Sequence, residues 1–308
     1  MSVSDQEELA AATPAAAAAT PATVGRARGS REALHFARRN PKLLAGLGVV
    51  LAFLALAVVG PMLNSHGPNE YVGPPAQRPS ADWWFGTTMF GQDVFAQFVH
   101  GLRSTFLVGL LGGALAAVIG MVIGFTAGYR GGVADEGLNM LTNVVLVVPT
   151  LAVLLIIATY LKVRGVVPEA IFIGLFSWPW VARAIRAQTF SLASRDFVDL
   201  ARLSGAGGVK IVVTEIAPNM SSYLCMTFIL LFGGSVLTAA TLDFIGLGPT
   251  DGMSLGLMMN NAVLWSALPL GMWWWFVPPG LGITMIVGGL YIMNVGLDEV
   301  FNPRLREL

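Results

Sequence analysis

Six apolar blocks of at least 20 residues dominate this chain: Leu43–Leu63, Thr105–Gly128, Leu138–Leu161, Val166–Ile185, Ser221–Ile245 and Met272–Val295. About 20 mostly apolar residues in a helix cover the hydrocarbon core of a bilayer. Lipid offers no partner to an open peptide group, so each block predicts a helix that satisfies its own backbone. Composition agrees: the 308 residues are 55% apolar and 12% charged, with a mean hydropathy of +0.69. An average globular domain is about a quarter charged. The expected fold is all-α, a polytopic membrane protein with six transmembrane helices. Pro149, Pro168, Pro179, Pro278 and Pro279 fall inside or at the ends of blocks, where kinks are tolerated.

Six crossings place both termini on one side, and the distribution of basic residues selects it. With a cytoplasmic N-terminus, 14 Lys and Arg lie inside and four outside; the four are Arg78, Arg103, Lys162 and Arg164. The Lys162/Arg164 turn runs against the trend. Lys plus Arg equals Asp plus Glu at 18 each, so no net charge draws a nucleic acid. A single cysteine, Cys225, excludes an intrachain disulfide and reads as a small apolar filler. His35, His66 and His100 are dispersed, no HExxH occurs, and no Gly-rich stretch ends in Gly-Lys-Ser/Thr. A metal site and a resident nucleotide site are therefore not expected.

The longest inner connection, residues 188–218, carries the strongest local signal. Ser194–Gly205 reads as a short helix with Ser194 as N-cap, Asp196 in its first turn, Arg202 in its last and Gly205 just beyond. A second helix is expected over Gly207–Ala217, with Val209, Val212, Val213 and Ile216 on one face and Pro218 as its stop. Short amphipathic helices between spans must bury their apolar faces on the protein's own helix ends or on another subunit.

Asp199-Leu200-Ala201, then Gly205, then Pro218-Asn219 resembles the EAA signature of ATP-binding-cassette importer permeases. Asp199 and Leu200 depart from its Glu and Ala, Glu215 from a frequent His and Ala217 from Leu, while the spacing is intact. Four further stretches resemble the C-type permease of dipeptide and oligopeptide importers: Phe85–Phe95, Ala127–Gly132, Leu242–Gly248 and Asn302–Arg306. Together they cover roughly residues 34–308 in the family's order. The resemblance implies a bacterial inner-membrane, multi-pass subunit that is not itself an enzyme. It implies a heterodimer with a B-type permease, two ABC ATPases that bind ATP and Mg, and an extracytoplasmic solute-binding protein. This chain would hold no cofactor, and Asp199, Leu200, Ala201, Gly205, Pro218 and Asn219 would couple it to an ATPase. The implied cargo is a di- or oligopeptide, with oligosaccharides second and nickel least supported, since no His or Cys clusters in the spans. Ala239 stands where the family often has Glu. From a different class, a secondary transporter should show repeated halves or paired intramembrane charges, and the sequence displays neither.

The expected organisation is a disordered tail at 1–30, a first helix and outer loop at 31–102, a permease core at 103–296 and a cytoplasmic tail at 297–308. Asp243, near the outer end of the fifth block, reads either as a contact in the substrate path or as a helix-end hydrogen-bonding partner. Trp273, Trp274, Trp275 and Phe276 read as an interfacial aromatic belt. Trp83 and Trp84 suit either the binding protein or the membrane surface. Gly120, Gly124 and Gly128 form one face for close helix packing, within this subunit or against a partner permease.

Overall fold

The computed structural model describes residues 40–64, 66–160, 165–250 and 252–301. The tail at 1–30, the basic residues before Asn40, the Lys162/Arg164 turn and the Asn302–Arg306 motif lie outside the described residues. Helices follow in the order α1 Pro41–Leu63, α2 Val94–Arg130, α3 Gly132–Val147, α4 Thr150–Tyr160, α5 Val166–Ser177 and α6 Pro179–Ala193. Then come α7 Asp196–Leu203, α8 Gly208–Ile211, α9 Ser221–Phe244, α10 Leu255–Leu264 and α11 Trp273–Phe301. Four of them, α1, α2, α9 and α11, are each long and apolar enough to cross a membrane, and α3 with α4 adds a fifth if counted as one bent span.

The block expected over Leu138–Leu161 is interrupted: α3 and α4 meet at 75°. Val148 takes an extended backbone (φ −73°, ψ 124°) because the ring of Pro149 crowds the helical conformation of the residue before it. The Val166–Ile185 block also divides, at Trp178 before Pro179, but Trp178 keeps a helical backbone (φ −75°, ψ −24°). Both breaks follow from proline; only the first turns the chain sharply. Several helices begin or end beyond the apolar blocks, α3 from Gly132 and α6 to Ala193 among them. Helix α2 starts at Val94, since Asp93 caps it by accepting a bond from the Phe95 amide at 2.8 Å. Helix α11 runs on to Phe301. The apolar α10 was not foreseen, being only ten residues long.

Helix α2 is the axis of the packing, and glycine is the reason. A Cβ built on Gly124 would stand 2.7 Å from the Ala182 carbonyl oxygen; one on Gly128 would stand 2.7 Å from that of Arg186. A Cβ on Gly120 would meet Val181 at 2.9 Å. The predicted glycine face therefore packs within this subunit, on α6. On other sides of α2, Gly109 and Gly113 seat Phe232 of α9, and Gly112 faces the Ala170 carbonyl of α5. Removing side chains lets backbones approach and maximises dispersion contacts, which drive helix association where lipid is as apolar as the helix.

A second glycine-mediated pair joins α1 to α11, where a Cβ on Gly46 would meet the Gly289 carbonyl at 2.5 Å. At the end of this pair Asn40 caps α1 through the Leu43 amide (2.9 Å) and also donates to Glu299 (2.8 Å), while Lys42 pairs with the same carboxylate. Cys225 is exposed on α9, not a core filler. Gly124→Leu should destabilise the fold by on the order of 1–3 kcal/mol and broaden the detergent size-exclusion peak. Gly234→Ala, where an added Cβ meets nothing within 4 Å, should leave the peak unchanged.

Candidate functional site

The 188–218 segment folds onto the end of α2. Arg195 in extended backbone, not Ser194, precedes α7, and no side chain caps it. Ser194 instead ends α6, its hydroxyl donating to the Ser191 carbonyl. At the other end of α7 the Ala206 amide bonds the Ala201 carbonyl (3.1 Å) and the Gly205 amide bonds that of Arg202 (3.0 Å). This double closure is a Schellman cap, which needs a left-handed residue, and Gly205 supplies φ +78°. A Cβ at Gly205 would meet nothing within 4 Å. The glycine thus serves backbone conformation; the expected close packing of two helices across it is not what this chain uses it for.

Val198 is fully buried and Phe197 and Ala201 are partly buried against the core under α6 and α9. The outward face carries Asp199, Leu200 and Leu203, the leucines 67% and 86% exposed. The expected second helix is short: α8 passes into a π-helical turn, Val212–Ile216, and then a turn at Ala217–Asn219 that accommodates Pro218. The wider turn shifts the register, so Ile211 and Ile216 are buried while Val209 (77% exposed) and Val213 face out. Asn219 closes the segment by donating to the Glu215 carbonyl at 2.6 Å.

Tyr129 fastens this segment to α2. A Cβ on Gly208 would stand 2.9 Å from its ring, and the Arg202 guanidinium lies 5.5 Å from the ring centroid. Tyr129 first and Asp199 second push Arg202 further above its already high range, so its charge is fixed. The Asp199–Arg202 contact is 2.9 Å. Beyond Tyr129, Gly131 and Gly132 turn the chain with positive φ, and Asp135 and Arg186 pair across α3 and α6. Next to Tyr129 a groove of about 540 Å³ opens between α2 and α8.

A second concavity lies at the helix breaks. A cleft of about 250 Å³ is lined by Thr150 after the α3/α4 bend, Ser177 and Pro179 at the α5/α6 break, and Leu231, Ser235 and Thr238 of α9. The Ser235 hydroxyl is buried without a hydrogen-bond partner among the described residues. Irregular backbone at membrane depth is tolerated where it is buried or lines a water-filled cavity. The sequence signalled the breaks through its prolines but not which hydroxyls they bring together.

At the opposite end from the 188–218 segment, α9 finishes with a second Schellman cap, Leu247 bonding the Leu242 carbonyl and Gly246 (φ +89°) that of Asp243. Asp243 is only 3% exposed. Its Oδ2 accepts from Ser254, whose hydroxyl also caps α10 at the Leu257 amide. Gly248 and Gly256 give it room, since a Cβ on either would strike the Asp243 side chain. The fold brings Glu169 of α5 within hydrogen-bonding reach of this carboxylate. Nearby, Trp274 and Trp275 are buried and only Trp273 is exposed, which corrects the expected aromatic belt. The Trp274 indole donates to the Thr87 carbonyl at 3.2 Å, tying the outer loop to α11. Trp83 packs on Gly73, whereas Trp84 is exposed.

Comparison with known proteins identifies the arrangement. A family described as "Binding-protein-dependent transport system inner membrane component" matches residues 120–307, from the glycine face of α2 through the 188–218 segment to the end of α11. The chain belongs to this family. The inner membrane component is similar to the "Dipeptide transport system permease protein DppC" of Bacillus subtilis, at 26% identity over 90% of this chain and 86% of the relative. The "Oligopeptide transport system permease protein OppC" of the same organism is 27% identical, over 90% of each chain. The "Probable peptide ABC transporter permease protein y4tQ" of Sinorhizobium fredii is 32% identical over 92% of this chain and 97% of its own. As such a component it is a multi-pass protein of the cytoplasmic membrane and a transport permease. For its 188–218 segment, Gly205→Val should cost about 1–2 kcal/mol locally. Amide hydrogen exchange over residues 196–206 should accelerate, and less so for Gly205→Asn.

Proposed function

We propose that this inner membrane component is the C-type permease subunit of an ATP-driven peptide importer, contributing half of the path for di- and oligopeptides. The observation that carries the reading is the 188–218 segment. Leu200, Leu203, Val209 and Val213 stand exposed on short helices anchored to α2, at a place where a partner protein rather than lipid must cover them. That partner is one of two ABC ATPases, which bind ATP and Mg and perform the hydrolysis; this chain performs none. Asp199, Leu200, Ala201, Gly205, Pro218 and Asn219 form the docking element, and closure of the ATPases swings it as a rigid body. A B-type permease completes the path and an extracytoplasmic binding protein delivers the cargo. The permease names of the relatives support peptide as that cargo.

In this reading the chain crosses six times with both termini in the cytoplasm, the α3/α4 pair and the α5/α6 pair each forming one crossing. Residues 103–296 make the permease core, preceded by the tail at 1–30 and the first helix and loop at 31–102, and followed by the tail at 297–308. The cleft at the helix breaks belongs to the substrate path. Asp243 joins that path only in a state where the outer ends of α5 and α9 part, because its carboxyl is enclosed here.

Purification of the tagged chain in mild detergent should recover a second permease, ATPases and a solute-binding protein by mass spectrometry. Recovery of the chain alone would remove the reading; a binder that prefers oligosaccharides would keep the machine and change the cargo. Gly205→Val should abolish ATPase-coupled uptake while the protein stays membrane-inserted, and normal uptake would count against the docking element. Leu203→Glu should lower ATPase recovery at least several-fold without changing the amount of chain in the membrane.

A further inference from the structure

Glu169 and Asp243 are the pair for which neither the family nor the coupling mechanism accounts. They sit on different helices, α5 and α9, at the end of the bundle away from the 188–218 segment. Glu169 Oε1 and Asp243 Oδ1 are both buried with no hydrogen-bond partner among the described residues, although the two carboxyls lie within hydrogen-bonding reach of each other. An ionised carboxylate only accepts. Two facing carboxylates therefore cannot satisfy one another, and two uncompensated charges in so dry a place are prohibitive.

Among the described residues no counter-charge faces the pair; Lys162 and Arg164, which precede Glu169 in the sequence, lie outside them. The groups acting on Asp243 are Ser254, which already donates to Oδ2, and Glu169; the group acting on Glu169 is Asp243. Apolar side chains share the space beside Glu169, among them Leu154, Ile157, Phe172 and Leu242. His100 and Arg103 of α2 line a separate outer cavity with Gly252 and Met253. Glu169 borders a small, partly open space of about 30 Å³ whose wall includes Gly248, the residue toward which Asp243 Oδ1 points. That space has room for about one water.

We propose that Glu169 and Asp243 are a one-proton site, a carboxylic acid hydrogen-bonded to a carboxylate that ties α5 to α9. One proton gives the pair its missing donor and halves its charge. The adjoining space lets a single water exchange it. Loss of that proton leaves two carboxylates in contact, so the tie should weaken as the medium becomes alkaline.

The test uses the full-length chain in detergent micelles. Infrared spectroscopy at neutral pH should show the carbonyl band of a protonated carboxyl, absent from both Glu169→Gln and Asp243→Asn. The unfolding midpoint of the wild type should fall from neutral to alkaline buffer. That of Glu169→Gln, whose amide takes over as donor, should stay level over the same range. Absence of the band in the wild type overturns the proposal, as does a midpoint that follows sodium or potassium at constant pH. Should Asp243→Asn fail to fold, Glu169→Gln alone decides, since a band or a pH dependence that survives in it locates the proton elsewhere. These readouts need no transport activity, so they stand or fall apart from the proposed function.

Discussion

Everything in this bundle depends on how closely other helices can approach α2. Where solvent is hydrocarbon, burying a leucine gains little over leaving it in lipid, and packing must come from contact density. Helix α2 achieves this with glycines on several faces, opposed to backbone or side chains of α5, α6, α9 and α10. The consequence is a central helix that cannot slide or rotate without clashing on all sides. Attached elements must move with it. The 188–218 segment is one of these, since Tyr129 at the end of α2 holds both Gly208 and Arg202.

Rigidity around α2 contrasts with the two proline breaks. Pro149 and Pro179 interrupt neighbouring helices beside the same cleft, where Thr150, Ser177, Ser235 and Thr238 replace the surrounding apolar side chains. A peptide backbone moving through such a place would meet hydroxyls and no fixed charge among these residues. In the proposed reading this suits a permease whose cargo is selected by a separate binding protein, with the proline breaks beside the cleft and the rigid helix behind it.

Much of the fold was legible in the sequence because a lipid solvent imposes a simple rule. Helices α1, α9 and α11 follow directly from unbroken apolar runs. The start of α2 was not legible, because Gln97, His100 and Arg103 make its first turns look like a loop; burial against the outer segment overrides that impression, with Gln97 itself buried. Gly205 was found by its position after a capped run, although its reason proved to be a left-handed backbone instead of close packing. Ser194 misled because it sits where a cap belongs while its hydroxyl turns back to Ser191. Glu169 was passed over because one acid in an apolar block has no visible partner until the fold joins α5 to the end of α9. The register of the exposed valines was misjudged because a π-helical turn leaves no mark in a hydrophobic pattern.

That turn bears on how such a chain can change over generations. Surface connections usually absorb insertions and deletions, since nothing after them depends on their length. Val212–Ile216 behaves otherwise. Each helical residue advances the chain by about 100°, and this widened turn sets the rotation between α8 and α9 while keeping Ile211 and Ile216 inward. Deleting one residue would tighten the turn into ordinary helix and swing α7, with its leucines, to another side of the bundle. The segment therefore has the outward look of a loop and the length intolerance of a gear tooth, free to vary in its exposed side chains, such as Val213, and fixed in number.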